Sequence, residues 1–177
     1  IAQDYLQKRG IDQETATQFD LGYSLDSWHD LEKTLETRSF NKEEAIASGL
    51  VVNKNERTYD RFRGRLMFPI RDFSGKVVAF GARVMGEGEP KYLNSPESLA
   101  YVKGEHLYGL HQARPHLAQQ KAALLTEGYL DVITLHRFGF GHAAGVLGTA
   151  LTQKQVRRLA GLVRKIILLF DGDRAGM

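Results

Sequence analysis

The sequence of 177 residues contains no cysteine, and it has no apolar run near the ~20 residues that cross a membrane. Without cysteine the chain can form neither disulfide bonds nor thiolate metal sites. Three of the six histidines are spaced by five residues, which does not place them on one helical face, so we expect no zinc site. The first ten residues are polar and amphipathic, unlike a secretory signal. These absences favour an ordinary cytoplasmic globular protein.

Acidic residues are scarce in the later part of the chain. Residues 1–60 contain 7 Lys and Arg against 12 Asp and Glu, whereas residues 61–177 contain 17 against 9. This basic part favours a surface for a polyanion, although a solvated surface of uneven charge would give the same count. The chain begins with Ile1 and stops inside an acidic motif at Met177, so we expect a piece of a longer protein.

Hydrophobic spacing predicts an α+β part at the start of the chain. The first sixty residues have helical spacing with N-cap residues and terminal glycines, which predicts short helices. Two β-rich runs, RLMFPIRD and KVVAFGARV, flank Phe73-Ser74-Gly75 and predict a hairpin. The stretch GEGEPKYLNSPES predicts an irregular loop. The next stretch, GLHQARPHLAQQ, predicts a helix interrupted at Pro115.

The last third alternates between apolar runs and helical patterns. AALLT, HAAGVL and KIILLF read as strands, and YLDVITLHRF and TQKQVRRLAGL read as helices, the second with Thr152 as N-cap. This order predicts parallel strands with helices on both faces, and we interpret Ile166–Phe170 as a central buried strand. The fold class is therefore α/β, with an α+β subdomain at 1–120 and a parallel-sheet domain at 121–177.

Carboxylates follow two of the predicted parallel strands. Glu127-Gly128 comes after AALLT, and Asp171-Gly172-Asp173 comes after KIILLF. Ligands of open parallel sheets bind beyond the carboxyl ends of the strands, where Asp131 would join if its helix began early enough to share a face with Glu127. Paired carboxylates repel each other, and Mg²⁺ relieves that repulsion through oxygen ligands. The alternative is that Asp171 and Asp173 only cap a helix or form a turn.

Arginines alternate in the stretch Arg61-Phe-Arg63-Gly-Arg65, which predicts three guanidinium groups on one face of a strand. Arg83 lies in the predicted hairpin, and Lys91 precedes Tyr92 in the loop. Arginine binds phosphate with a planar fork, and tyrosine offers a stacking surface for a base. The alternative is a solvated strand face.

Several motifs together resemble a known family. EGYLDV, LGTALT and FDGDRAG resemble the Toprim domain of topoisomerases, primases and some nucleases. The more specific stretches YDRFRGRLMFPIRDFSGKVVAFGARV, PKYLNSPES and KGEHLYGLHQAR resemble the RNA polymerase core of bacterial DnaG-type primases. Ala82 and Ser98 depart from the family pattern without changing a charged position.

The resemblance implies an α/β primase core whose Toprim domain is truncated in this chain. It implies that Glu127, Asp171 and Asp173 hold two or more Mg²⁺ or Mn²⁺ ions, with Asp131 nearby. It also implies a basic groove for nucleotides and template, formed by Arg61, Arg63, Arg83, Lys91, Tyr92 and Asn94.

The implied activity is nucleotidyl transfer, which joins ribonucleoside triphosphates into an RNA primer on single-stranded DNA during replication. A further acidic motif and a helicase-binding domain of the family are missing, so we expect this chain alone to be inactive. We expect the intact protein to act in the cytoplasm at the replisome, with the replicative helicase as partner and no membrane. The alternatives are another Toprim enzyme, a topoisomerase or nuclease, or a single-stranded DNA-binding platform without activity.

Overall fold

The computed structural model describes residues 1–148 and 150–172, and its first sixty residues contain short helices, as predicted. Asp12 caps the second helix by accepting a hydrogen bond from the Thr15 amide at 2.8 Å. Asn41 caps the fourth by accepting one from the Glu43 amide at 2.8 Å. The helices are α1 (Ala2–Lys8), α2 (Gln13–Gln18), α3 (Asp30–Thr37) and α4 (Lys42–Ala47).

An antiparallel sheet forms the body of the first part. Its central pair is the predicted hairpin, which turns at Asp72, whose carboxylate accepts hydrogen bonds from the amides of Ser74 and Lys76. Gly75 has a φ of +96°, which favours glycine at this turn. The strands, in the order β1-β4-β5-β6, are β1 (Gly22–Ser24), β4 (Arg65–Arg71), β5 (Val77–Val84) and β6 (Tyr92–Asn94), and a separate hairpin contains β2 (Val51–Lys54) and β3 (Arg57–Asp60).

Four of these short strands were not predicted. The β2–β3 hairpin turns through Asn55 and Glu56, which both have positive φ. Because the second turn residue is Glu and not Gly, the sequence lacks the Asn-Gly pair that marks such turns. The three residues of β6 lie inside the predicted loop and pair with β5. Strands of three or four residues are too short for their alternation to stand out.

The second sheet has the predicted parallel core. Strands β8, β9 and β10 are parallel, and an antiparallel strand, β7, occupies one edge in the order β10-β8-β9-β7. Thr152 caps α7 in a capping box with Gln155, as its sequence position predicts. The elements are β7 (Leu107–Tyr108), α5 (Leu110–Gln120), β8 (Ala122–Thr126), α6 (Tyr129–Arg137), β9 (Ala143–Val146), α7 (Gln153–Ala160) and β10 (Lys165–Leu169).

Two predictions for this region were wrong. Helix α5 continues through Pro115, which is exposed, so the predicted interruption at this residue is absent. Strand β10 pairs only with β8 among the described residues, so within that part of the chain it lies at an edge of the sheet and not at the centre, where we expected it. Leu168 and Leu169 are accordingly 52% and 47% exposed. An apolar run predicts a strand but does not specify its neighbours.

One hydrophobic core joins the two parts of the chain. It combines Phe19, Phe68 and Tyr108 from residues 1–120 with Tyr129 and Ile133 from residues 121–177. A second core lies between the later sheet and its helices and contains Leu110, Leu117, Leu125 and Leu159. The division at residue 120 stays a prediction. No helix within residues 1–148 and 150–172 is long and apolar enough to cross a membrane.

Candidate active site

Two acidic residues lie at the carboxyl edge of the parallel sheet. The last register pair of β8 and β10 joins Thr126 to Leu169. Glu127 directly follows Thr126, and Asp171 comes two residues after Leu169, so the two carboxylates leave adjacent strands at the same edge. Glu127 is half-buried and Asp171 is exposed. The predicted partner Asp173 lies outside the described residues.

Asp131 lies near this edge, but not because it shares a helical face with Glu127. Helix α6 begins at Tyr129 with Gly128 as its N-cap, so Glu127 lies outside the helix and cannot share a helical face with Asp131. Instead, the Asp131 carboxylate folds back over Gly128, where an added Cβ would lie 2.5 Å from Asp131 Oδ2. Glycine at position 128 therefore leaves room for the acid beside the end of β8.

The donor set of this edge is suited to a hard divalent cation, because carboxylate oxygens are the ligands that Mg²⁺ prefers. Within the described part of the chain, however, no group of three His, Asp or Glu side chains is close enough to hold a metal ion. The described acids thus provide part of a coordination set and not a complete one.

The sequence analysis missed Lys103 as a residue of this edge. Lys103 begins a short 3-10 helix, Lys103–Glu105, and its amide donates to Glu97 Oε1 at 3.2 Å. Its Nζ atom lies 3.7 Å from the position that a Cβ on Gly148 would take, in the segment after β9. A single lysine far from the acids in sequence gives no signal of its own.

Arg61 and Arg63 lie in the link between β3 and β4, so the predicted alternation along one strand is wrong. Gly64, with a φ of +60°, turns the chain between Arg63 and Arg65. The three arginines nevertheless line one groove with a volume of about 640 Å³, together with the aromatic side chains of Trp28 and Tyr59. We call this surface the arginine groove.

Stacking and hydrogen bonds position the arginines of the groove. The Arg63 guanidinium lies 3.9 Å from the centre of the Trp28 ring, which is a close cation–π contact. Arg61 donates from Nη2 to the Asn94 carbonyl at 3.0 Å, and Arg65 donates to the Pro90 carbonyl at 2.8 Å. Burial lowers the pKa of both Arg61 and Arg65, although arginine stays protonated at neutral pH.

Trp28 is an aromatic residue of the groove that the sequence analysis did not identify as a candidate. Its side chain is 59% exposed and packs edge-on against Tyr59, with ring centroids 5.4 Å apart. An exposed indole beside arginines is a surface on which a base can stack.

Arg83 and Tyr92 face each other across β5 and β6 and form a second group. The Arg83 guanidinium lies 4.4 Å from the Tyr5 ring centre and 6.0 Å from that of Tyr92. Burial raises the pKa of Tyr92, so its hydroxyl stays neutral. Lys91 is exposed at the start of this strand. The structure therefore places the predicted basic residues in two neighbouring groups.

Asn94 connects these groups to the acidic edge. Its carbonyl accepts from Arg61, while its side-chain Oδ1 accepts from Tyr129 Oη at 2.7 Å. Tyr129 comes two residues after Glu127, and its ring stacks on that of Phe68 with ring centroids 4.8 Å apart. The predicted nucleotide-binding residue Asn94 thus has its side-chain oxygen engaged by the helix that begins at the acidic edge.

Both parts of the chain match families of known proteins. Residues 1–114 match the family described as the N-terminal domain of the DNA primase catalytic core, and residues 121–177 match the Toprim domain. This combination of domains is typical of the catalytic core of DNA primases. The chain belongs to the DnaG-type DNA primase catalytic core family, which confirms the resemblance seen in the sequence.

Relatives support this placement at high coverage of the chain. The DNA primase of Deinococcus radiodurans is 46% identical over 99% of this chain and 31% of its own length. That of Escherichia coli K12 is 42% identical over 99% of the chain and 30% of its length. The chain therefore spans about a third of these relatives.

The fold of the chain is also similar to solved structures of primase catalytic domains. The RNA polymerase domain of Mycobacterium tuberculosis primase DnaG has a TM-score of 0.92 and 36% identity, covering 98% of this chain and 60% of that one. The E. coli primase catalytic core has a TM-score of 0.91 and 41% identity, covering 99% and 56%. A DnaG catalytic domain bound to single-stranded DNA has a TM-score of 0.89 and 42% identity, covering 99% and 55%.

Proposed function

We propose that this chain is the part of a replicative DNA primase that holds the template and nucleotides and begins the metal site for RNA primer synthesis. The observation that supports this most directly is the relay from Arg61 through Asn94 to Tyr129. This relay connects the arginine groove to the strand end that bears Glu127. The family and the single-stranded DNA complex of a similar catalytic domain agree with this assignment.

The groove residues would act through positioning and charge. Arg61 and Arg63 present guanidinium groups that suit phosphate oxygens, and Trp28 presents an exposed ring on which a template base can stack. Lys91, Arg83 and Tyr92 lie on the β5–β6 side, where they would hold the incoming ribonucleoside triphosphate or the growing primer. Asn94 would fix the distance between the two groups.

Glu127, Asp171 and Asp173 would hold two or more Mg²⁺ or Mn²⁺ ions, with Asp131 beside them. When bound, such ions would neutralise the charge of the transferring phosphoryl group and stabilise the attacking and leaving oxygens. Gly128 would keep the approach to Glu127 open by leaving room for Asp131. We also propose residue 120 as the domain boundary, a cytoplasmic site of action at the replisome, and a helicase contact outside this chain.

The test of the metal assignment is primer synthesis by the intact protein on single-stranded DNA. We expect Asp171→Asn to abolish synthesis, because it removes an anionic ligand while changing the shape of the side chain little. Asp4→Asn, which alters an exposed acid in α1, is the matched control and should leave the rate unchanged. Near-normal primer synthesis by the Asp171→Asn enzyme would mean that this acid only forms a turn.

On its own, the chain should bind single-stranded DNA, because the cations of the arginine groove and of the β5–β6 side can bind phosphates without a metal ion. Binding should weaken steeply as salt rises, with a slope of roughly −0.7 per phosphate contact for a single strand. Replacing Arg61, Arg63, Arg83 and Lys91 together with alanine should flatten that slope. Fluorescence anisotropy against a salt titration measures it, and a slope that survives all four replacements would contradict the groove assignment.

A further inference from the structure

Asp60 is the last residue of β3, and its carboxylate is buried without a cationic partner. The residue is 2% exposed, and within residues 1–148 and 150–172 no lysine, arginine or histidine forms an ion pair with it. A buried charge is costly unless hydrogen bonds or a counter-charge compensate for it. The hydrogen bonds of Asp60 therefore show which groups the residue serves.

The Asp60 carboxylate takes the place of a side-chain cap at the beginning of α3. The N-cap residue, His29, makes no capping hydrogen bond with its side chain. Instead, Asp60 Oδ2 accepts from the Leu31 amide at 2.7 Å, and Oδ1 accepts from the Glu32 amide at 2.9 Å. A helix leaves the amide groups of its first turn without partners, and the partial positive charge at this end favours an anion. Both carboxylate oxygens are used, whereas an amide side chain would supply only one acceptor oxygen.

The backbone of Asp60 connects the same residue to the arginine groove. Its amide donates to the Trp28 carbonyl at 2.7 Å, and its carbonyl accepts from Nη1 of Arg63. Arg63 in turn stacks on the Trp28 ring, 3.9 Å from the ring centre. Trp28 lies one residue before the N-cap of α3, so the helix held by the carboxylate begins beside the ring that Arg63 covers. Asp60 thus fixes the helix, the indole and the guanidinium relative to one another.

A purely electrostatic role would give Asp60 the opposite effect on nucleic-acid binding. The acid directly precedes Arg61, and its carbonyl contacts Arg63. An anion at this position lowers the positive potential of the groove that attracts phosphate groups. If charge alone mattered, removing the acid would strengthen the binding of a polyanion. The structural and the electrostatic role therefore predict changes of opposite sign.

We propose that Asp60 is a positioning residue for template binding. Its carboxylate holds the amino end of α3 and thereby keeps the Trp28 ring where Arg63 and a template base can stack on it. The ring is 59% exposed, which leaves room for a base beside the guanidinium. Asp60 acts through Trp28 and Arg63, because its own side chain is buried. This inference rests on the proposed function, in which the arginine groove binds the template.

The fluorescence of Trp28, the one tryptophan in the sequence, reports the position of this ring directly. In Asp60→Asn the side chain keeps its shape, but one of the two amide groups loses its acceptor and faces an NH2 group. Without DNA, we expect the Trp28 emission to shift to longer wavelength and acrylamide quenching to increase, because the loosened ring meets more water. The dissociation constant for oligothymidylate should rise by about fivefold or more, as for a lost stacking contact.

A double-mutant cycle shows whether Asp60 acts through the indole. In a Trp28→Leu background the stacking surface is already absent, so Asp60→Asn should leave the affinity unchanged or raise it slightly. Two substitutions that act on one contact have effects that do not add. Additive losses of affinity would mean that Asp60 affects binding by another route, and they would overturn the proposal.

Asp12→Asn is the matched control for charge and chemistry. Asp12 caps α2 by accepting from the Thr15 amide at 2.8 Å, asparagine caps a helix equally well, and the net charge changes by the same amount. This variant should keep the emission and the affinity of the wild-type chain. Asp60→Ser retains one acceptor in a smaller side chain, and it replaces Asp60→Asn in every measurement if circular dichroism shows that the asparagine variant does not fold.

The inference and the proposed function can fail separately. If the wild-type chain binds no oligothymidylate, or binds it without salt dependence, the groove assignment is wrong and the role of Asp60 in binding fails with it. If the wild-type chain binds but Asp60→Asn keeps the wild-type emission, or binds equally well or more tightly, the groove assignment stands and the positioning role is overturned. Equal changes in Asp60→Asn and Asp12→Asn would also overturn it.

Discussion

Gly81→Ala tests the packing that joins the groove to the acidic edge. Gly81 lies in β5, opposite Phe68 on one side and Asn94 on the other. A Cβ at this position would clash with the phenol ring of Tyr129. That ring cannot move away easily, because it stacks on Phe68 and packs edge-on against Tyr108, each with centroids 4.8 Å apart.

The magnitude follows from two opposing effects. Overpacking a core costs about 1–3 kcal/mol, while replacing glycine by alanine inside a strand returns roughly 0.5–1 kcal/mol of conformational entropy. A clash with a buried ring at the upper end of the first range leaves a net destabilisation of about 2 kcal/mol. For a chain of this size that corresponds to a melting temperature lower by about 4–8 °C.

Thermal melting followed by circular dichroism measures the effect, and the chain provides a matched control. Gly161 follows α7 with helical φ and has open space where a Cβ would go, so Gly161→Ala should melt at the same or a slightly higher temperature. Tyr129→Leu removes the obstructing atoms, so the double variant Gly81→Ala/Tyr129→Leu should be destabilised by less than the sum of the two single variants. If the Gly81→Ala variant has the same melting temperature as the wild-type chain, the Tyr129 ring is not fixed in this position.

Two further perturbations have defined outcomes. A hydrogen bond from the Thr58 hydroxyl, with smaller contributions from His29 and Lys42, lowers the pKa of Glu32 from 4.5 to about 2. The ionised carboxylate therefore stabilises the fold above pH 4.5, and this contribution disappears as the pH falls towards 2. Glu32→Gln should cost about 3 kcal/mol in urea unfolding at pH 7 and much less near pH 2, and a cost independent of pH would contradict this cause. In the intact enzyme, Tyr92→Phe should keep most primer synthesis because the ring provides stacking, whereas Lys91→Ala should lose it. Complete inactivity of the phenylalanine variant would instead give the hydroxyl a role.

Periodicity predicted the elements that are long and regular. The β4–β5 hairpin and the alternation of β8, α6, β9, α7 and β10 follow from periods of two and 3.6 residues, and they are present as predicted. Strand order does not follow from periodicity, because pairing depends on contacts between distant segments. The edge position of β10 and the antiparallel addition of Leu107–Tyr108 were therefore beyond the sequence pattern.

The candidate site was predictable where chemistry is concentrated in adjacent residues. The acids after β8 and β10 are visible because a polar group directly follows an apolar run. The sequence analysis grouped Arg61, Arg63 and Arg65 on one face of a strand. The three arginines do line one groove, but Arg61 and Arg63 lie in the link between β3 and β4 and not in a strand. Trp28 and Lys103 were missed because each is a single residue, distant in sequence from the other residues of the site, and its local sequence contains no motif that indicates a site.

Tyr129 shows why the two halves of the site must be considered together. Its backbone begins α6 directly after Glu127-Gly128, and its hydroxyl donates to Asn94 on the strand that contains Tyr92. Burial raises the pKa of Tyr129, so this hydroxyl remains a neutral donor throughout the range in which proteins work. Because its ring belongs to the core shared by both parts, β6 cannot shift relative to the acidic edge without breaking that packing. Nucleotides held along β6 would therefore keep a fixed distance from the carboxylates, which is what in-line nucleotidyl transfer requires.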